Sequence, residues 1–272
     1  MVVMVSLLGA PLARAQERQP VDRSRDRGEG LPTDMFGTYI RGRELLVYPF
    51  FEYYRDRNYE YSAADLGFVG ETDFRGRYRA SESLIFLAYG ISNRVAVELE
   101  AATIRATLLK ASEDTSVVPA RLHESGLGDV ATRVRWRWNR ESDSRPEFFS
   151  SVEAGFPLQR SRRLIGTQDW ELKFLTGAVR GYSWGTITLR ASLDNIAGTF
   201  EPGEYGFDYL KRISERFRVY GGIEGTQDEV ELITEAQIFL TPKIFLKLNN
   251  AFGVTSKAPD WAPEVGLIFS FP

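Results

Sequence analysis

From residue 44 to the C-terminus the chain alternates apolar and polar positions at a period of two, in segments of about ten residues separated by turn residues. Residues 128–139 (GDVATRVRWRWN) show the pattern most plainly: Arg133, Arg135 and Arg137 share one face, and Val130, Val134, Trp136 and Trp138 share the other. The pattern predicts strands over residues 44–54, 77–91, 94–109, 127–139, 147–158, 170–182, 186–195, 205–213, 217–225, 229–240, 244–254 and 264–271, with almost no helical periodicity. Short turns at Ser92-Asn93, around 141–146, and at Trp184-Gly185, Glu215-Arg216 and Pro242-Lys243 alternate with longer connections, among them residues 110–126 and 198–203. Long and short connections in alternation describe an up-and-down meander of about twelve antiparallel strands.

Alternation alone fits a soluble β-sandwich as well as a membrane barrel, which turns its apolar face outward to lipid. The segments are nearly twice the usual strand of about five or six residues, long enough to cross hydrocarbon at a tilt. An even strand count closes a meander with both termini at one end. Trp136, Trp138, Trp170, Trp184 and Trp261 fall near strand ends, as indoles do at a membrane interface. Three arginines on one strand face would each need a partner in a dry core, at several kcal/mol per unpaired ion. The expected fold is an all-β, transmembrane, antiparallel up-and-down barrel over residues 42–272. Hydrocarbon tolerates no free sheet edge, so the first strand must pair with the last.

The composition narrows the function. A net charge of -3 argues against a nucleic-acid partner bound through phosphates. The absence of cysteine removes disulfides, thiolate metal sites and thiol nucleophiles. No stretch reaches ~18 consecutive apolar residues, so no transmembrane helix is expected. Val2 to Ala10 is a short apolar run and Ala13-Arg14-Ala15 a small-x-small site, which reads as a signal peptide over residues 1–15. Residues 16–41 begin polar and mixed in charge, and read as a flexible periplasmic tail.

The polar faces give a lumen lined by Glu98, Glu100, Arg133, Arg135, Arg137, Glu153, Glu171, Lys173, Arg190, Asp194, Asp208, Arg212, Glu229, Glu231, Glu235 and Lys247. Acids on some strands face bases on others, so these groups either set up a transverse field across water or pair into a static filling. Either the N-terminal tail or residues 110–126 could plug the pore. No metal-ligand cluster, phosphate loop or coenzyme fingerprint is present, and no cofactor is expected. Asp129, Asp143, Asp169 and Asp260 are loop acids, solvated or else bound to lipopolysaccharide-bridging cations.

Val265, Leu267, Phe269 and Phe271, followed by Pro272, resemble the C-terminal signal read by the outer-membrane assembly machinery. Ser125-Gly-Leu-Gly-Asp129 resembles a motif of the outer-membrane transporter family "MetA-pathway of phenol degradation". That resemblance implies a barrel passing small aromatic or hydrophobic compounds. The bare reading of its glycines is a tight turn. His123-Glu124-Ser125 has the His-x-Ser spacing of outer-membrane phospholipases and lipid A deacylases, but Gly126-Leu127 stands where the phospholipase pattern has Asn-Gly. The expectation is a non-enzymatic channel or transporter in the outer membrane of a Gram-negative bacterium, contacting lipid, lipopolysaccharide and a small solute. The alternatives are an acyl hydrolase using His123 and Ser125, and a non-conducting structural barrel.

Overall fold

The computed structural model describes residues 22–272; the predicted signal peptide lies outside the described residues. A short antiparallel pair, β1 (Leu31–Pro32) and β2 (Tyr39–Ile40), precedes twelve long strands. These are β3 (Leu45–Ser62), β4 (Asp73–Ser92), β5 (Val95–Leu109), β6 (Arg121–Asn139), β7 (Glu147–Phe156), β8 (Glu171–Tyr182), β9 (Gly185–Ile196), β10 (Thr199–Ser214), β11 (Phe217–Gly225), β12 (Val230–Thr241), β13 (Ile244–Gly253) and β14 (Ala262–Phe271). Each pairs antiparallel with its neighbour, and β14 pairs with β3 through Glu264↔Glu52 and Phe271↔Leu45. The barrel is closed, as the edge argument requires.

One end carries most of the tight turns and the C-terminus; we call it the turn end, and the opposite one the loop end. The outward parity is the predicted one. Phe51, Leu189, Phe207, Leu232 and Leu248 are 43–53% exposed, a surface that fits hydrocarbon and not water. The tryptophans form two girdles. At the turn end Trp136 and Trp138 meet edge to face, and Trp184 stacks on Tyr182 and Tyr209. At the loop end Trp170 lies edge-on to Phe156 and Trp261 edge-on to Tyr53.

Three expectations are corrected. Residues 22–41 are not a loose tail: they fold into the lumen at the turn end, and the barrel starts at Leu45. Leu31 and Ile40, each 1% exposed, pack against inward Leu46, Tyr48, Phe86, Phe149 and Val179. The lumen therefore has an apolar core at that end, made by the chain's own N-terminal segment. Gly90 lets this segment approach the wall, because a Cβ there would lie 1.9 Å from the Arg41 carbonyl oxygen.

The second correction is at residues 198–203, of which 199–203 are strand. Ala197 (φ 51°) and Gly198 (φ 90°) make a two-residue hairpin turn with both φ positive, and Thr199 pairs with Ile196. Third, residues 121–126 extend β6 by pairing with Ile104–Leu109 of β5, which shortens the predicted loop to 110–120.

Candidate functional site

Alternation on β6 points Arg133, Arg135 and Arg137 inward, and cross-strand register sets carboxylates beside them. Glu98 of β5 and Glu153 of β7 both stand directly opposite Arg133. Arg133 bonds Glu153 and Asp34 of the N-terminal segment. Arg135 Nε donates to Glu98 Oε1 at 3.0 Å, and its guanidinium covers the Phe149 ring at 5.3 Å. Arg137 pairs with Glu147 at 3.0 Å and donates to the Asn93 and Gly30 carbonyls. The arginine ladder is thus a static network that grips residues 30–34.

The N-terminal segment is tied on its other sides too. Phe36 stacks on Tyr220 at 5.4 Å beneath the Arg190 guanidinium, 4.8 Å from its ring. Gln237 Nε2 donates to the Gly37 carbonyl at 3.2 Å, and the Arg212 amide to Asp26 at 2.9 Å. Arg27 pairs with Glu141 at 2.8 Å.

This segment divides the lumen. On the loop side lies a cavity of about 390 Å³, floored by Asp34, Met35 and Phe36. Nine carboxylates and four cations line it. All four cations are paired: Arg133 as above, Lys173 with Glu204 (2.8 Å), Arg190 with Glu224 (2.6 Å) and Lys247 with Glu235 (3.0 Å). On the turn side a second cavity of about 630 Å³ is basic, with Arg41, Arg212, Arg216, Arg218 and Lys243 outnumbering Glu29, Glu44 and Glu215. Among the described residues no three acids or histidines converge as metal ligands.

Most of the predicted lumen residues face inward, and the loop-side chamber gathers Glu100, Arg133, Glu153, Lys173, Arg190, Glu231 and Lys247. Glu98, Arg135 and Arg137 lie in the network below, and Glu235 is buried against Lys247. Glu229 is corrected: it precedes β12 in an exposed loop, where its carbonyl accepts from Thr226. Glu52, Glu82 and Glu264 line the chamber but were missed in the sequence. Their parity with outward Phe51, Ser83 and Val265 was the available signal.

The loop motifs take other positions. Ser125-Gly-Leu-Gly-Asp129 is not a turn but continuous strand, with a bulge where β5 and β6 shift register between Ala101 and Thr103. A Cβ on Gly128 would meet Ile104 at 2.7 Å, and Asp129 accepts from the Leu158 and Thr167 amides at 2.8 and 2.5 Å. The motif seats the β7–β8 loop on the barrel. His123 and Ser125 are both exposed. His123 Nδ1 lies 2.9 Å from Thr107 Oγ1, a neutral hydroxyl where a triad would place an acid or amide. Asp143 sits at the turn end paired with Arg23, and Asp260 pairs with Arg57 at 2.9 Å.

No family model matches the chain, and no curated protein matches it. Solved structures do. The chain is similar to the COG4313 outer membrane channel from Pseudomonas putida F1, with TM-score 0.63 and 12% identity over 85% of this chain and 97% of that one. It is also similar to the translocator domain of the autotransporter NalP from Neisseria meningitidis, with TM-score 0.51 and 11% identity over 85% and 90% of the two chains. The fold is that of outer-membrane β-barrels: all-β, antiparallel and closed by twelve strands.

Proposed function

We propose that the protein is an outer-membrane channel for small polar solutes, closed in this conformation by its own N-terminal segment. The observation that carries this reading is the lumen itself. Two charged cavities of about 390 and 630 Å³ lie on either side of residues 30–39, inside a barrel whose outer face is apolar. The fold shared with a channel from Pseudomonas putida F1 supports it. So does the row Val265, Leu267, Phe269 and Phe271 at alternate positions on the outer face at the end of β14, which suits recognition by the assembly machinery. Short turns in bacterial barrels face the periplasm, which sets the acidic chamber toward the outside and the basic one toward the periplasm.

Resemblance to the phenol-degradation transporters favours an aromatic cargo. The chamber favours a polar one, because an apolar solute would have to desolvate nine carboxylates and four cations to fill it. Planar-bilayer recording tests the reading. Measurable conductance from the wild-type chain, or from a variant lacking residues 22–40, supports a channel. Silence in both, with the barrel folded by heat-modifiability on a gel, leaves the structural barrel or, if Ser125→Ala abolishes lipid deacylation, the hydrolase.

A further inference from the structure

The loop-side chamber is unevenly neutralised. Its four cations are taken by Asp34, Glu153, Glu204, Glu224 and other acids, while Glu52, Glu82, Glu100, Glu231 and Glu264 have no cationic partner among the described residues. Three of these form one row across adjacent strands: Glu264 stands opposite Glu52, and Glu52 opposite Glu82. Strands lie about 4.8 Å apart, so the row spans roughly 10 Å. Like charges so placed repel unless a counter-charge lies between them.

A second observation points to the missing group. Asn249 of β13 continues the same row, opposite Glu264. It is 8% exposed, lines the chamber, and its Oδ1 has no hydrogen-bond partner among the described residues. A buried acceptor left open costs about 1–3 kcal/mol unless a donor fills it. The Tyr48 hydroxyl donates to Glu264 Oε1, and beyond it the row holds more acceptors than donors.

The spacing decides among donors. The acids do not converge on one point as metal ligands do. Below the row, Phe50 and Leu84 follow the same strands toward the turn end and present apolar surface. A ligand with separated ammonium groups on a short methylene chain meets both features: charge against Glu264, Glu52, Glu82 and Asn249, hydrocarbon against Phe50 and Leu84. We infer that the loop-side chamber is a binding site for small aliphatic diamines and like organic dications. This rests on the lumen being reachable from the loop end, as the channel reading has it, and names the solute class that the channel holds.

The probe is 1,4-diaminobutane, with 1-aminobutane and glutarate as controls. In bilayers the diamine, added on the loop side, interrupts the current at lower concentration than the monoamine, and glutarate does not. Glu52→Gln with Glu82→Gln weakens the block roughly 10- to 100-fold, the loss expected for charge-assisted hydrogen bonds. Glu113→Gln, on an exposed loop, leaves it unchanged. Calorimetry on the detergent-solubilised wild-type chain gives the same ranking of ligands without needing a variant to fold or a pore to open. Equal potency of diamine and monoamine, or a block unaffected by the double variant, overturns the site while conductance keeps the channel. Diamine binding by calorimetry in a barrel that never conducts overturns the channel and keeps the site.

Discussion

Glu98 and Arg135 meet inside the barrel with each side chain 2% exposed, the guanidinium Nε 3.0 Å from the carboxylate. Neither group reaches bulk water, so each is the other's solvation. A pair of this kind does not itself argue for stability, since an apolar pair of equal volume often serves as well. Breaking it does have a cost. Arg135→Ala leaves Glu98 a buried charge without its main partner, and we expect a loss of about 3–5 kcal/mol. Glu98→Leu combined with Arg135→Met should recover most of that. The urea midpoint of the folded gel band reads both, and a single variant no less stable than the double would refute the pairing's role.

Asp34 is the contact by which the N-terminal segment meets this network. Its carboxylate pairs with Arg133, and its amide donates to Glu98 Oε2 at 3.3 Å. Asp34→Ala removes the charge and leaves Leu31 and Ile40 in their apolar seats. A hydrogen bond between charged groups is worth about 1.5–3 kcal/mol, so the open fraction should rise roughly 10- to 100-fold. Single-channel open probability measures this directly. An open probability equal to wild type would mean that Asp34 does not hold the segment shut.

Much of the barrel was legible in the sequence because a strand has an unforgiving parity. Once Val265 and Phe51 are assigned outward, every neighbour on the strand follows, and closure follows from the lack of an edge. Legibility failed where the pattern is not two-fold. Leu31, Phe36 and Ile40 are spaced too irregularly to announce two-residue strands, and the charged residues before them resemble a tail. On β3, Leu46, Tyr48 and Phe50 point inward against the N-terminal segment, so that strand is apolar on both faces and hid Glu52. Pro202 and Gly203 look like a loop; they sit at a bulge between Pro202 and Tyr205, where a Cβ on Gly203 would strike Ser192 Oγ at 2.1 Å. The chamber's row of acids is a property of register between β14, β3 and β4, and register between the two ends of a chain is not written in either one.

The outward face gives a prediction independent of the lumen. Leu189 is 53% exposed, stands in the body of β9, and is flanked by Ala178 and Phe207 on the neighbouring strands. In hydrocarbon, Leu189→Arg should cost about 2–4 kcal/mol. On a water-facing surface the same change would fall within about ±0.5 kcal/mol. Refolding into lipid vesicles of known thickness, followed by denaturant titration, separates the two, and a neutral result would remove the membrane reading of this face.

The loop end offers a test by pH. Asp114 of the 110–120 loop is buried, accepting from Tyr61 Oη at 2.9 Å and the Ser116 amide at 2.6 Å, with Lys110 Nζ 3.6 Å away. Burial pushes its carboxyl up, but the Ser116 and Tyr61 hydrogen bonds and the Lys110 charge outweigh this and hold it below the ordinary aspartate value. The folded pKa is thus below the unfolded one. The stabilisation is fully present above the unfolded value of about 3.9 and drains away as pH falls through the folded one. Hydrogen exchange at the Ser116 amide, corrected for its intrinsic rate, should stay protected at neutral pH and lose protection below about pH 4. Asp114→Asn should flatten that profile, keeping the size of the side chain and removing the charge. Protection that is constant with pH in the wild-type chain would show that the loop is held by packing of Ala111 and Val118 instead.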